Sequence, residues 1–99
     1  MFVTRPATVD DWPFIRATAK PTIANAMRAG VRATWEQVGN AALDAMRDNL
    51  DFTVACADGD PTTLLGWIAR SPDGVVMMTY VSHRFRGNGV GRRLREKAR

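Results

Sequence analysis

Three glycines at alternate positions, Gly87, Gly89 and Gly91, separate an apolar strand-like run that ends at Ser82 from a helix-like tail that opens near Gly89. Glycine lets a backbone take positive φ and lets a ligand come close where a Cβ would block it. A helix that opens just behind such a loop directs its first N–H groups, and the positive end of its dipole, into the loop. Strand, glycine loop and helix therefore form one unit, a cradle suited to phosphate.

Charge is distributed to match. The chain has 99 residues and a net charge of +4. Residues 84–99 carry seven basic groups (Arg84, Arg86, Arg92, Arg93, Arg95, Lys97 and Arg99) against Glu96 alone, whereas the rest carries seven basic and nine acidic. A basic excess confined to the loop and its helix points to an anionic partner at one place. Nucleic acid fits poorly, because Phe85 is the only aromatic residue there and base stacking needs more.

The length suits a single domain with one modest core. No stretch approaches the roughly eighteen apolar residues of a membrane span, and Met1–Pro6 lacks the pattern of a signal peptide. Cys56 is alone, so no internal disulfide forms and a reducing cytoplasm is the default. Nothing in the pattern calls for a metal.

Phe2-Val3-Thr4-Arg5 reads as a strand stopped by Pro6. A helix follows, capped by Thr8 or Asp11, with Trp12, Ile15 and Ala19 on one face and a kink or end at Pro21. Thr22 to Ala29 reads as a short helix closed by Gly30. Thr34-Trp35-Glu36-Gln37 has the capping-box pattern, and Trp35, Val38, Ala42, Met46 and Leu50 form a core-facing stripe behind it.

Beyond Leu50 the period changes. Residues 52–57, 63–70 and 75–82 read as strands joined by turns at Asp58-Gly59-Asp60-Pro61 and Ser71-Pro72-Asp73-Gly74, hence an antiparallel meander. Val90, Leu94 and Ala98 align on the last helix. The order β-α-α-β-β-β-α predicts an α/β (α+β) sandwich, with helices packed on a three-stranded meander and the N-terminal strand.

As for the loop, a Walker-type reading fails because Arg92-Arg93 follow Gly91 where Lys and Ser or Thr are needed. A dinucleotide fingerprint fails because its third glycine would fall on Arg92. A plain glycine-rich turn joining strand to helix stays open. Residues 80–94, Tyr80-Val81-Ser82-His83-Arg84-Phe85-Arg86-Gly87-Asn88-Gly89-Val90-Gly91-Arg92-Arg93-Leu94, closely resemble the acyl-CoA signature of the GNAT superfamily of N-acetyltransferases. Its Arg/Gln-x-x-Gly-x-Gly/Ala core is met by Arg86, Gly89 and Gly91, its preceding apolar-Val pair by Tyr80-Val81, and its following leucine by Leu94. The Asp10-Asp11 helix start and Gly66 in the middle strand agree as well.

The resemblance implies acetyl-CoA, or CoA, as ligand. Backbone N–H groups across Gly87, Asn88, Gly89, Val90, Gly91 and Arg92 would hold its pyrophosphate, with Arg86 bracing the loop or adding charge. Exposed backbone at Met78, Tyr80 and Val81 would pair with the pantetheine arm as an added strand. The acceptor would be an amine. A complete GNAT domain continues with a strand, a helix and a hairpin after this point, so residues 1–99 are expected to form a single GNAT-like domain lacking that portion. The tyrosine that protonates the thiolate in many members then has no counterpart, Tyr80 being the only tyrosine. The strand before the loop carries no carboxylate, which leaves Glu36, Asp73 and His83 as candidates for a base by chemistry alone and the catalytic residues undetermined. A catalytically inactive module that binds another protein is the competing expectation. Without a flanking strand, Val75-Val76-Met77-Met78 would form an apolar edge to be covered by a second copy or another protein.

Overall fold

The computed structural model describes residues 2–25 and 27–97; Met1 and the aligned Ala98, with Arg99, lie outside them. Four strands and three helices follow the chain as β1 (Phe2–Pro6), α1 (Trp12–Asn25), α2 (Ala29–Asn49), β2 (Asp51–Ala57), β3 (Asp60–Arg70), β4 (Val76–Val81) and α3 (Val90–Lys97). Single 3-10 turns at Val9–Asp11 and His83–Phe85 lead into α1 and into the glycine loop. The sheet order is β1-β2-β3-β4, with every neighbouring pair antiparallel. The fold is therefore α+β, as the strand and helix pattern predicts.

The sheet separates two apolar layers. On one face Trp12, Ile15 and Ala19 of α1 and Trp35 and Leu43 of α2 meet Val54, Trp67 and Ala69. On the other, Val90 and Leu94 of α3 cover Ala55, Leu65 and Ile68. Residues on one strand serve opposite layers because successive side chains of a strand point to opposite faces. A register irregularity between Ala55 and Cys56 sets Leu64 against the first layer and Leu65 against the second.

The helical region departs from the sequence expectations. α1 neither ends at Pro21 nor gives way to a separate helix over Thr22–Ala29; it runs through the proline to Asn25. Pro21 withholds a donor from the Ala17 carbonyl only, and the helix on either side is tied by the Thr22 hydroxyl giving to the Thr18 carbonyl at 2.7 Å and by the Trp35 indole N–H giving to that of Lys20 at 3.2 Å. The helix ends where the Arg32 guanidinium donates to the carbonyls of Ala24 (3.0 Å) and Met27 (3.1 Å), an arginine cap in place of a glycine one. Gly30 lies in the first turn of α2, and Thr34 lies within that helix, so the Thr34–Gln37 pattern caps nothing. Of the expected stripe, Trp35, Ala42, Met46 and Leu50 pack into the core, and Val38 alone departs. Val38 is 49% exposed, whereas Gly39 and Leu43 are buried; the Trp35 indole lies over Gly39 and occupies the space of any side chain there.

At the start of α1 the expected cap is present and reinforced. Asp11 accepts the Thr8 N–H at 2.8 Å and pairs with both Arg5 amino groups, at 2.6 and 2.9 Å. Arg5 also donates to the Pro61 carbonyl at 3.0 Å, tying β1, α1 and β3 together. The hydrogen bonds from Arg5 hold the Asp11 carboxyl below the usual carboxylate range, outweighing the burial that acts in the opposite direction. A depressed folded-state value means the stabilisation is complete above the ordinary pKa of about 4 and is lost as pH falls below it. Chemical denaturation between pH 6 and pH 2 is expected to show this loss, and Asp11→Asn should flatten the profile while lowering stability at pH 6. Equal acid sensitivity in the two proteins would refute the assignment.

Candidate functional site: the glycine loop and the free edge of β4

The loop begins where β4 leaves the sheet. The Ser82 N–H donates to the Leu65 carbonyl at 2.8 Å, the last backbone tie of that strand to β3. From there Phe85 N–H bonds the Ser82 carbonyl at 2.9 Å, and the Arg86 and Asn88 amides reach those of His83 and Phe85 at 3.4 Å. The Arg86 guanidinium turns back to the Val81 carbonyl at 3.1 Å, so its side chain braces the loop against the end of β4.

Beyond these bonds the loop's donors are free. Among the described residues the N–H groups of Gly87, Gly89, Val90, Gly91 and Arg92 have no hydrogen-bond acceptor, and the first bond of the new helix is from Arg93 to Gly89 at 3.0 Å. Unpaired donors are usual at a helix start; here the two amides of Gly87 and Gly89 join them. Both glycines have positive φ, +85° and +80°, and a Cβ at either would meet nothing within 4 Å. Their requirement is thus conformational, and the space before them is open. An apolar cavity of about 330 Å³ lies beside the loop, with Asn88 and Val90 in its wall together with Phe2, Leu65 and Phe85. Acceptor-free amides, open backbone and a helix N-terminus suit an anionic group such as a phosphate.

β4 is an edge strand. Because the Ser82 amide faces β3, alternation directs the amides of Thr79 and Val81 away from the sheet. The Tyr80 carbonyl crowds Gly66, where a Cβ would lie 2.5 Å from it, so β4 crosses β3 closely at this point. Tyr80 itself packs inward, stacked on Trp67 at 6.2 Å and edge-on to Phe14, and Met78 lies on the same layer. Val81 faces the other layer and touches the site of Gly91. The residues singled out from the sequence therefore fall into two adjoining groups, the loop from Arg86 to Arg92 and the β4 edge, but of Met78, Tyr80 and Val81 only Val81 presents its amide outward; the backbone groups of Met78 and Tyr80 face β3, and Thr79 takes their place on the open edge.

Of the candidate bases, only His83 adjoins them. Glu36 is exposed on α2, in the layer opposite α3. Asp73 is in the turn at the far end of β4, where it accepts from the Ser71 hydroxyl. His83 is exposed in the turn that precedes the loop. Among the described residues no cluster of His, Cys, Asp or Glu is placed to hold a metal. Cys56 is buried, and among the described residues no helix is long and apolar enough to cross a membrane.

Two features carry no recognisable sequence signal. Arg70 at the end of β3 is buried, and it donates to the Gly74 carbonyl at 3.0 Å and to the Arg95 carbonyl of α3. A cation on the last turn's carbonyls is favoured by the helix dipole, and it pins the far end of α3 to the β3–β4 turn. At the opposite end of the sheet from the loop, a cavity of about 540 Å³ is lined by Trp12, Arg47 and Phe52, with the Arg47 guanidinium 5.6 Å from the Trp12 ring centre. Both arise from contacts between residues distant in the chain. Comparison with models of protein families, with curated proteins and with solved structures finds no match to this chain.

Proposed function

We propose that this protein is an acetyl-CoA-dependent, N-acetyltransferase-like protein of GNAT type, which holds the CoA pyrophosphate on the backbone of residues 86–92. The observation that carries the reading is the row of acceptor-free amides at Gly87, Gly89, Val90, Gly91 and Arg92 beside the open edge of β4. The outward amides of Thr79 and Val81 would receive the pantetheine arm as an added strand. Arg92 and Arg93, exposed on the first turns of α3, add positive charge near the phosphates. Bound acetyl-CoA would supply a thioester; an amine attacks its carbonyl carbon, C–N forms, C–S breaks, and one proton passes through solvent from amine to departing thiolate. On this reading the protein acts in the cytoplasm.

A second reading, a catalytically inactive binding module, is favoured by the separation of Glu36 and Asp73 from the loop. Calorimetric titration with acetyl-CoA, followed by turnover with a panel of amines, distinguishes the two. Saturable binding is expected for the natural chain. At a hundred times the dissociation constant it should add about 2.7 kcal/mol of stability, or roughly 10–20 °C in Tm for a domain of this size.

Gly89→Asp should abolish that binding, at least about tenfold, because a tethered carboxylate occupies the amides meant for phosphate. Gly89→Asn tolerates the same backbone conformation without the charge and should retain most of it. Binding without turnover selects the inactive module. Absence of binding in the folded natural chain refutes the CoA reading.

A further inference from the structure

We infer that Val75 and the first half of the β4 edge, Val76 to Met78, together with the groove between β4 and α3, dock an acidic extended segment of a partner protein as a fifth strand. Val75, Val76 and Met77 are consecutive, apolar and 54%, 38% and 57% exposed. Isolated apolar residues on a surface are ordinary, but a continuous row on an open strand edge is a template for pairing that folded proteins normally block. This edge has no proline or charged residue from Val75 to Val81. A register shift leaves Met77 without a partner on β3, since Ala69 pairs with Met78 and Arg70 with Val76.

What lies beside the edge defines the partner's chemistry. A groove of about 540 Å³ is lined by Arg70, Val76, Arg92, Arg95 and Glu96. Three guanidinium groups face one carboxylate, and among the described residues none of the three forms an ion pair, the only pairs being Arg5–Asp11 and Arg16–Asp44. Arg70 is nearly buried and its Nε has no acceptor. A strand added about 4.8 Å outside β4 would place alternate side chains towards the α3 layer. Acidic residues at those positions would meet Arg92 and Arg95, and the apolar residues between them would cover the opposite face.

A second copy of this chain is a poor occupant. Antiparallel pairing of β4 with its own copy requires a two-fold axis perpendicular to the sheet, which sets both α3 helices on the same face. Their arginines would then adjoin, and like charges at such a seam oppose association. The docking surface lies on the part of β4 away from the glycine loop; it shares Met78 and Arg92 with the CoA reading, and the peptide test below needs no CoA to be bound.

The test uses the whole chain and two short capped peptides, one alternating valine with glutamate and one alternating valine with lysine. Fluorescence anisotropy gives the affinities, and amide hydrogen exchange locates the contact. The glutamate peptide is expected to bind about tenfold more tightly than the lysine peptide and to slow exchange at Val76 to Met78. Arg95→Glu should weaken the glutamate peptide about fivefold and strengthen the lysine peptide. That variant keeps the Arg95 carbonyl to which Arg70 donates, so the helix stays anchored. Equal affinity for the two peptides, protection at another surface, or exchange at Val76 to Met78 that slows with the protein's own concentration would each overturn the proposal.

Discussion

Replacing Trp67 with alanine is expected to cost about 3–5 kcal/mol, a large part of the roughly 5–10 kcal/mol that holds a domain of this size together. Trp67 has no exposed surface and lies where the sheet meets α1 and α2. Its ring stacks on Tyr80 of β4 and packs against Phe52 of β2 at 5.7 Å, while its indole N–H donates to the Thr18 hydroxyl of α1 at 2.8 Å. One side chain thus couples three strands to a helix, and its removal leaves a cavity whose walls belong to different elements. Trp67→Phe separates the contributions. It deletes the indole bond but leaves Thr18 donating to the Phe14 carbonyl at 2.9 Å, so no buried hydroxyl is stranded. We expect a loss of about 1–2 kcal/mol. Urea denaturation of the two variants checks both values. Similar midpoints for Trp67→Ala and the natural chain would refute the packing account.

Gly66→Ala is expected to destabilise by about 2–3 kcal/mol, and Gly66→Val by more. The new Cβ would lie 2.5 Å from the Tyr80 carbonyl oxygen and 3.2 Å from the Val81 Cα, both backbone atoms that cannot rotate aside. β4 must therefore move away from β3 at the residues that lead into the glycine loop. The Ser82-to-Leu65 hydrogen bond is the first to suffer, because it adjoins the clash. Hydrogen exchange at the Ser82 amide should accelerate in Gly66→Ala beyond what the global loss of stability explains. If the proposed CoA site holds, acetyl-CoA affinity should fall with it, since the outward Val81 amide and the loop share that anchor. A variant with unchanged stability and unchanged Ser82 exchange would show that β4 accommodates the methyl group by another route.

These two positions illustrate how far residue order alone reaches. The strands of the meander were legible because β-branched and aromatic residues were bounded by glycine turns, and Val90 and Leu94 because an i+4 repeat marks the buried side of a helix. Gly66 could be noticed in the sequence, yet the carbonyl that excludes a side chain there comes from Tyr80, fourteen residues later and on another strand. Pro21 is a strong local signal to stop, yet α1 runs through it to Asn25 while packed on α2, whose Trp35 indole N–H donates to the Lys20 carbonyl. The end of α1 was illegible for the same reason, since its cap is the side chain of Arg32 from the following helix.

For the site, local chemistry sufficed where the backbone acts alone. Gly87 and Gly89 take positive φ because no side chain opposes it, and a helix start leaves amides unpaired whatever surrounds it. Position in the sheet, by contrast, is a property of all strands together. That β4 is an edge, that Arg70 is buried against the end of α3 rather than solvated, and that Glu36 and Asp73 lie away from the loop follow from strand order and layer packing. Residue order determined the strands, the glycine loop and the basic helix, because these depend on neighbours a few residues apart. Only the tertiary structure decided which edge and which charges stay unpartnered, because that depends on what the rest of the chain has already covered.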